Sequence, residues 1–269
     1  MKPIVAVAQL NQTTNTDENY RKIANCALQA SQKGAVLLCL PENCLYFGPN
    51  AFQAAISLPT GLSRYQQLAK DCNLWLSLGG VQELCEESPS KYHNSHLLLN
   101  NQGDIVSNYH KLHLFDVSLS AGQVYAESNS VQAGSAPPTV VESPIGKVGV
   151  SICYDLRFPE LYRSLSSQGA EVLLVPAAFL ERTGAAHWEA LLRARAIENQ
   201  CYVVAAAMEG RHSETRTSYG HSAVVDPWGT VVAMAGEGEK VLYAEVDLDY
   251  LREVRRQLPC LQHRRRDLF

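Results

Sequence analysis

The chain has 269 residues, 46% apolar and 19% charged, with a formal net charge of −4, enough for a large buried core and ordinary for a globular protein. The charge balance speaks against a nucleic-acid partner, which needs a strongly basic face. No apolar run approaches the ~18 residues of a membrane span, so no membrane partner is expected.

Met1–Gln9 carries one positive charge and an apolar stretch too short for a signal-peptide core, so a cytoplasmic protein is expected. The eight cysteines, at positions 26, 39, 44, 72, 85, 153, 201 and 260, form no CxxC pair and no Cys/His cluster at metal-ligand spacing. No metal and no cofactor is therefore expected. The glycines at 146, 149 and 169 do not make a phosphate-binding GxGxxG.

In chain order, Ile4–Ala8 reads as a buried strand. A helix capped by Asp17 follows, with Ile23, Ala27 and Ala30 on one face and Gly34 as its stop. Ala35–Leu40 is a second buried strand. A helix over about 62–70 leads to a strand at Leu74–Leu78. Ser95–Leu99 and Ile105–Tyr109 flank Asn100-Asn101-Gln102-Gly103-Asp104, a hairpin signal. Thr139–Glu142 and Val148–Ile152 flank Pro144–Lys147 in the same way. The helix near 159–168, the strand Val172–Val175, the helix near 186–199 and the strand Tyr202–Ala206 follow. Ala223–Val225 and Val231–Ala233 flank Asp226-Pro227-Trp228-Gly229, and Val241–Val246 is the last strand. No linker interrupts the pattern, which predicts one α/β domain over 1–269 with a mixed sheet or sheets.

Three reactive residues stand where strands end. Glu42 follows Val36–Pro41, Lys111 follows Ile105–Tyr109, and Cys153 follows Val148–Ile152. The carboxyl ends of strands form the usual ligand crevice of α/β sheets, so an acid, a cation and a thiol can meet at one rim. The chemistry needs those types together. A thiol near pKa ~8.5 is mostly protonated at neutral pH, and a neighbouring lysine and a helix N-terminus stabilise its thiolate. A carboxylate takes the thiol proton and returns it to a leaving amine. The lysine and the backbone N–H of Tyr154 are placed to hold an oxyanion. Taken singly, each residue also reads as an ordinary packed or solvated one.

The local strings carry more. Leu40-Pro41-Glu42, Tyr109-His110-Lys111-Leu112-His113-Leu114-Phe115, and Gly149–Glu160 around Ser151-Ile152-Cys153-Tyr154-Asp155-Leu156-Arg157 stand in order along the chain. With Arg193–Asn199 and Ser218–Ser222, they resemble the nitrilase superfamily of carbon–nitrogen hydrolases over essentially the whole chain. The resemblance implies a four-layer αββα sandwich that forms a homodimer. It implies Glu42 as general base and acid, Lys111 as oxyanion-holding cation, Cys153 as nucleophile and Glu127 as a second glutamate at the site. For Glu127 the plain alternative is a solvated loop acid.

The pair Tyr154-Asp155 beside the nucleophile resembles the Nit-type amidases. That resemblance implies a small 2-oxo acid amide as substrate. The expected one is glutathione with a keto group in place of its amino group, cleaved to 2-oxoglutarate and cysteinylglycine. The alternative is 2-oxoglutaramate, which releases ammonia. The same resemblance puts substrate contacts at Arg157, Phe179 and Thr183, with Arg157 clamping the 2-oxo acid carboxylate. The alternatives are a salt bridge of Arg157 to Asp155 or Glu160, core packing for Phe179 and a helix cap for Thr183. A non-catalytic binding or scaffold protein on the same fold is the remaining reading. Arg252–Phe269 holds six arginines against two acids. It reads as a solvated helix and tail, and the resemblance places it at an oligomer interface.

Overall fold

A computed structural model describes residues 2–119, 123–265 and 267–268. Two six-stranded sheets organise it. The first runs Lys240–Glu245, Ile4–Gln9, Ala35–Cys39, Trp75–Leu84, Tyr92–Leu99, Ile105–His110. The second runs Val231–Met234, Ala223–Val225, Tyr202–Ala205, Val172–Leu174, Gly146–Val150, Val140–Ser143. The three central strands of each sheet that follow one another through helices are parallel, and the flanking strands are antiparallel.

The connections are α1 (Thr16–Gln32) and α2 (Ser63–Cys72) on the first sheet, and α3 (Pro159–Ser167) and α4 (Glu181–Asn199) on the second. Strand alternation explains the layering. Val5, Val7, Leu37, Cys39 and Leu98 turn inward to the second sheet, while Ala6, Ala8, Leu38, Leu40, Leu97 and Leu99 turn outward onto α1 and α2. Both faces of the first sheet are thus buried. The second sheet buries its inner face on the first and its outer face under Leu161, Tyr162 and Leu165 of α3 and Trp188, Leu192 and Ala196 of α4. The result is the expected α/β fold, a four-layer αββα sandwich. Each fully buried side chain of this kind contributes roughly 1.5–3 kcal/mol. Among the described residues, no helix is long and apolar enough to cross a membrane.

Several elements differ from the sequence reading. The cap of α1 is Asn15, whose side chain accepts from the N–H groups of Asp17 and Glu18, so Asp17 lies in the first turn. Gly34, at φ +72°, ends that helix as expected. The strand expected over Leu74–Leu78 runs Trp75–Leu84, because Gly79 and Gly80 form a bulge, marked by a register shift between Leu78 and Val81. α4 starts at Glu181, five residues early. Two short hairpins, Asp116–Leu119 with Gln123–Ala126 and Glu209–Arg211 with Thr217–Tyr219, have strands of only three or four residues, too short to show in the pattern. Residues 252–257 belong to α5 (Leu248–Gln257), whose Leu251 and Val254 are buried and whose Arg255 donates to the carbonyls of Gln200 and Ala170.

Candidate active site

Glu42, Lys111 and Cys153 meet at the seam between the two sheets. Each is delivered by a ladder that runs slightly past its strand. The Leu40 N–H bonds to Ser77 O (2.9 Å), and the Lys111 N–H bonds to Asn94 O (2.9 Å). The Ser151 N–H bonds to Leu174 O (3.2 Å) and the Cys153 N–H to Pro176 O (2.8 Å). Glu42 and Lys111 therefore ride on the first sheet and Cys153 on the second. His96 ties the sheets below them, with Nδ1 2.9 Å from Ser151 O and Nε2 2.7 Å from Ser77 Oγ.

The charges are almost wholly out of water, with Glu42 3% and Lys111 2% exposed, so they persist only because they are paired. Lys111 Nζ lies 2.9 Å from Glu42 Oε1 and 3.0 and 2.9 Å from the two oxygens of Glu127. The Asn94 side-chain amide donates to both glutamates, at 3.0 and 3.2 Å. Glu127 also accepts the Phe115 N–H at 2.7 Å. Glu42 Oε2 accepts the Ala178 N–H at 3.0 Å, and Glu42 shares a hydrogen bond with the Cys153 thiol.

Burial works against both charged forms, but the partners win. Glu127 and Glu42 lift Lys111 well above an ordinary lysine. Lys111, the Cys153 thiol and Asn94 hold Glu42 below the usual carboxylate range. For Cys153 the balance goes the other way. Burial and then the Glu42 carboxylate push the thiol well up, and Lys111 offsets only part of this. The sequence reading took lysine and a helix N-terminus to stabilise the thiolate; the lysine does so, though burial and Glu42 outweigh it, and the helix N-terminus needs correction. The resting sulfur is a neutral thiol beside an ionised base. The segment after it is a single 3-10 turn, Cys153–Arg157, with α3 starting only at Pro159.

That turn is sharply bent. Cys153 sits at φ +45°, a conformation that costs an L-residue on the order of 1–3 kcal/mol. Asp155 holds it there. This fully buried carboxylate accepts the Ile152 N–H (2.9 Å), the Tyr109 hydroxyl (2.8 Å) and the His113 N–H (3.1 Å), with His113 Nδ1 at 2.7 Å. Tyr109 and His113 straddle Lys111 in the sequence, so the same carboxylate locks the lysine's loop to the cysteine's turn.

Glu42, Lys111, Glu127 and Cys153 form the floor of a cavity of about 400 Å³. Tyr154, Arg157, Phe179 and Thr183 all line it, so every residue singled out from the sequence reaches one space. Arg157 makes neither expected salt bridge among the described residues. It lies over the Phe179 ring at 5.0 Å, with Nη1 3.2 Å from His187 Nδ1. Phe179 is both core and wall: it is buried, packs on Trp188 at 4.9 Å and faces the cavity. Thr183 is not a cap, because α4 has already begun. Its hydroxyl donates back to Leu180 O at 3.3 Å.

Sequence reading missed Asn94, Asp155 as a clamp, and Arg216 on the far wall. Asn94-Ser95-His96, three consecutive buried polar residues in one strand, was the available signal for the first. Among the described residues, no group of three or more His, Cys, Asp or Glu could hold a metal ion.

A buried thiol, base and cation at the floor of one αββα cavity is the arrangement of a carbon–nitrogen hydrolase. The chain belongs to that family, whose model matches residues 4–256. It is 49% identical to the deaminated glutathione amidase of Homo sapiens over 273 residues, covering 99% of this chain and 84% of the human one. The crystal structure of the C. elegans NitFhit protein superposes with a TM-score of 0.93 at 41% identity, covering all of this chain and 66% of that one. A variant of the amidase from Nesterenkonia sp. AN1, bearing acrylamide at its active-site cysteine, superposes with a TM-score of 0.77 at 27% identity, covering 97% and 99% of the two chains. The protein is an amide-bond hydrolase of this family.

Proposed function

We propose that Glu42, Lys111 and Cys153 hydrolyse deaminated glutathione to 2-oxoglutarate and cysteinylglycine. The observation that carries the chemistry is the floor of the cavity: the Cys153 thiol hydrogen-bonded to the buried Glu42 carboxylate, beside Lys111. Near-full-length likeness to the human enzyme supports the substrate.

As Cys153 Sγ attacks the amide carbonyl, its proton passes to Glu42, so no free thiolate is needed. The oxygen, now negative, is held by the Lys111 ammonium and the Tyr154 N–H. The C–N bond breaks as Glu42 returns the proton to the amine, leaving a thioester on Cys153. Glu42 then takes a proton from water, which attacks the thioester and releases the acid and the thiol. Glu127 keeps Lys111 charged and aimed. Arg157 takes the 2-oxo acid carboxylate, backed by Phe179 and Thr183.

The test offers deaminated glutathione and 2-oxoglutaramate at matched concentrations and follows products by mass spectrometry. A kcat/KM for cysteinylglycine release far above that for ammonia release is expected. The reverse preference would make the protein an ω-amidase. We further place the protein in the cytoplasm, in keeping with eight free cysteines. It acts there as one domain spanning 1–269 and as a homodimer, with the C-terminal segment of about 252–269 at the interface. Light scattering should then give twice 29.6 kDa.

A further inference from the structure

The cavity carries a second guanidinium. Arg216 lies at the tip of the hairpin formed by Glu209–Arg211 and Thr217–Tyr219, where its carbonyl accepts the N–H groups of His212 (2.9 Å) and Ser213 (3.2 Å). Its side chain lines the cavity and lies over Phe47 at 4.9 Å and Tyr125 at 5.8 Å. Its Nε is buried with no hydrogen-bond partner, and among the described residues no carboxylate stands within ion-pair distance. Two arginines elsewhere are satisfied: Arg195 by Leu156 O and Glu198, and Arg255 by Gln200 O and Ala170 O. A planar cation packed on rings, with its guanidinium on the cavity wall and no carboxylate beside it, is an acceptor site awaiting an acceptor.

Its position relative to Arg157 is informative. Arg157 lies 6.0 Å from the Tyr154 ring, Tyr154 touches Phe115 at 5.1 Å, Phe115 touches Tyr125 at 5.5 Å, and Tyr125 meets Arg216. The two guanidiniums thus cap the two ends of one chain of ring contacts along the cavity wall, with Arg157 on Tyr154, the residue that follows Cys153. The floor holds two carboxylates against one ammonium, so a substrate with anionic ends must find its cations on the walls. His212 adds no charge there, because burial and then Arg216 push it down to about 4.

We propose that Arg216 receives a carboxylate on the leaving-amine half of the substrate, so that the cavity is built for an amide flanked by two acids. Arg157 takes the acid of the acyl half. A peptide-like amine ending in a carboxylate engages Arg216, whereas a primary amide has nothing to offer it. This rests on the substrate reading above and extends it to specificity.

The experiment compares deaminated glutathione with the same compound amidated at its glycine carboxylate, using wild type and Arg216→Gln. Wild type should favour the free acid by roughly 10- to 100-fold in kcat/KM, the value of one charge-assisted fork. In Arg216→Gln that preference should fall to near unity. The ratio within one protein does not depend on how much of the sample is folded. A variant that keeps the wild-type ratio, or a wild type indifferent to amidation, overturns the proposal while leaving the amidase reading intact. A wild type that releases no cysteinylglycine from the free acid overturns both.

Discussion

Lys111 is the residue on which the site's electrostatics turn. Without it, Glu42 and Glu127 would face each other across a buried space with only the Asn94 amide between them. One of the two carboxyls would then bind a proton, as like charges in a shared site do. Lys111→Met therefore removes the oxyanion donor and neutralises the base together. We expect kcat to fall by more than about 10³-fold, beyond the loss of one oxyanion donor. Glu127→Gln leaves Lys111 paired with Glu42 and should cost activity less than Lys111→Met. Steady-state kinetics with thermal melts on both variants check this. Equal losses would mean that Glu127 is itself indispensable to the chemistry. Arg157 adds that an arginine beside two acids in sequence need not pair with either: Asp155 spends its oxygens on Ile152, Tyr109 and His113.

At the scale of elements, the site depends on how closely backbones approach. The bulge in the strand Trp75–Leu84 exists because two glycines permit it. A Cβ on Gly79 would lie 2.0 Å from Pro176 Cβ and 2.7 Å from Leu40 O. Gly80, at φ +75°, would place a Cβ 2.8 Å from Asn43 N and 2.9 Å from Glu42 Cγ. The second position touches the base directly. Gly80→Ala should displace Glu42 by a fraction of an ångström to an ångström, and kcat should fall by about 10²-fold. Its stability loss should be only ~1–3 kcal/mol, the cost of forcing Ala into a left-handed conformation. Kinetics on protein verified as folded by circular dichroism test it. Wild-type kcat in such a sample would show that the glycine serves only the bulge.

The whole molecule is two sheets whose seam is the active site, so what joins the sheets also aligns the reacting groups. His96 is such a joint, and burial pushes it down to about 4 from its ordinary 6.5. A base with a depressed folded-state pKa is neutral in the fold while it charges in the unfolded chain. The unfolded state thus binds more protons between pH 6.5 and 4, and stability must fall as pH drops through that window. The loss is on the order of 3 kcal/mol over the full window. His96→Gln keeps an amide donor for Ser151 O but cannot protonate. Its urea midpoint should therefore fall less steeply between pH 7 and 4.5 than that of wild type. Parallel slopes would assign the acid sensitivity to other groups.

Much of this was legible in one dimension. Continuous apolar runs and their turns marked most strands of both sheets, and the strings around Glu42, Lys111 and Cys153 marked the chemistry, because reactive residues at strand ends and tight turns leave local traces. Residue types and order along the chain were thus settled by the sequence. Asp17 was taken for a cap because Asn15 and Asp17 both suit that role and only backbone geometry chooses Asn15. The two short hairpins were invisible because their strands have only three or four residues and bury little. The neutral resting thiol, the sharing of Lys111 between two glutamates, the clamp of Asp155 and the unbonded Nε of Arg216 are all products of distance and desolvation. Those quantities arise only when groups far apart in the sequence are brought within hydrogen-bond distance of each other away from water, and only the tertiary structure decides them.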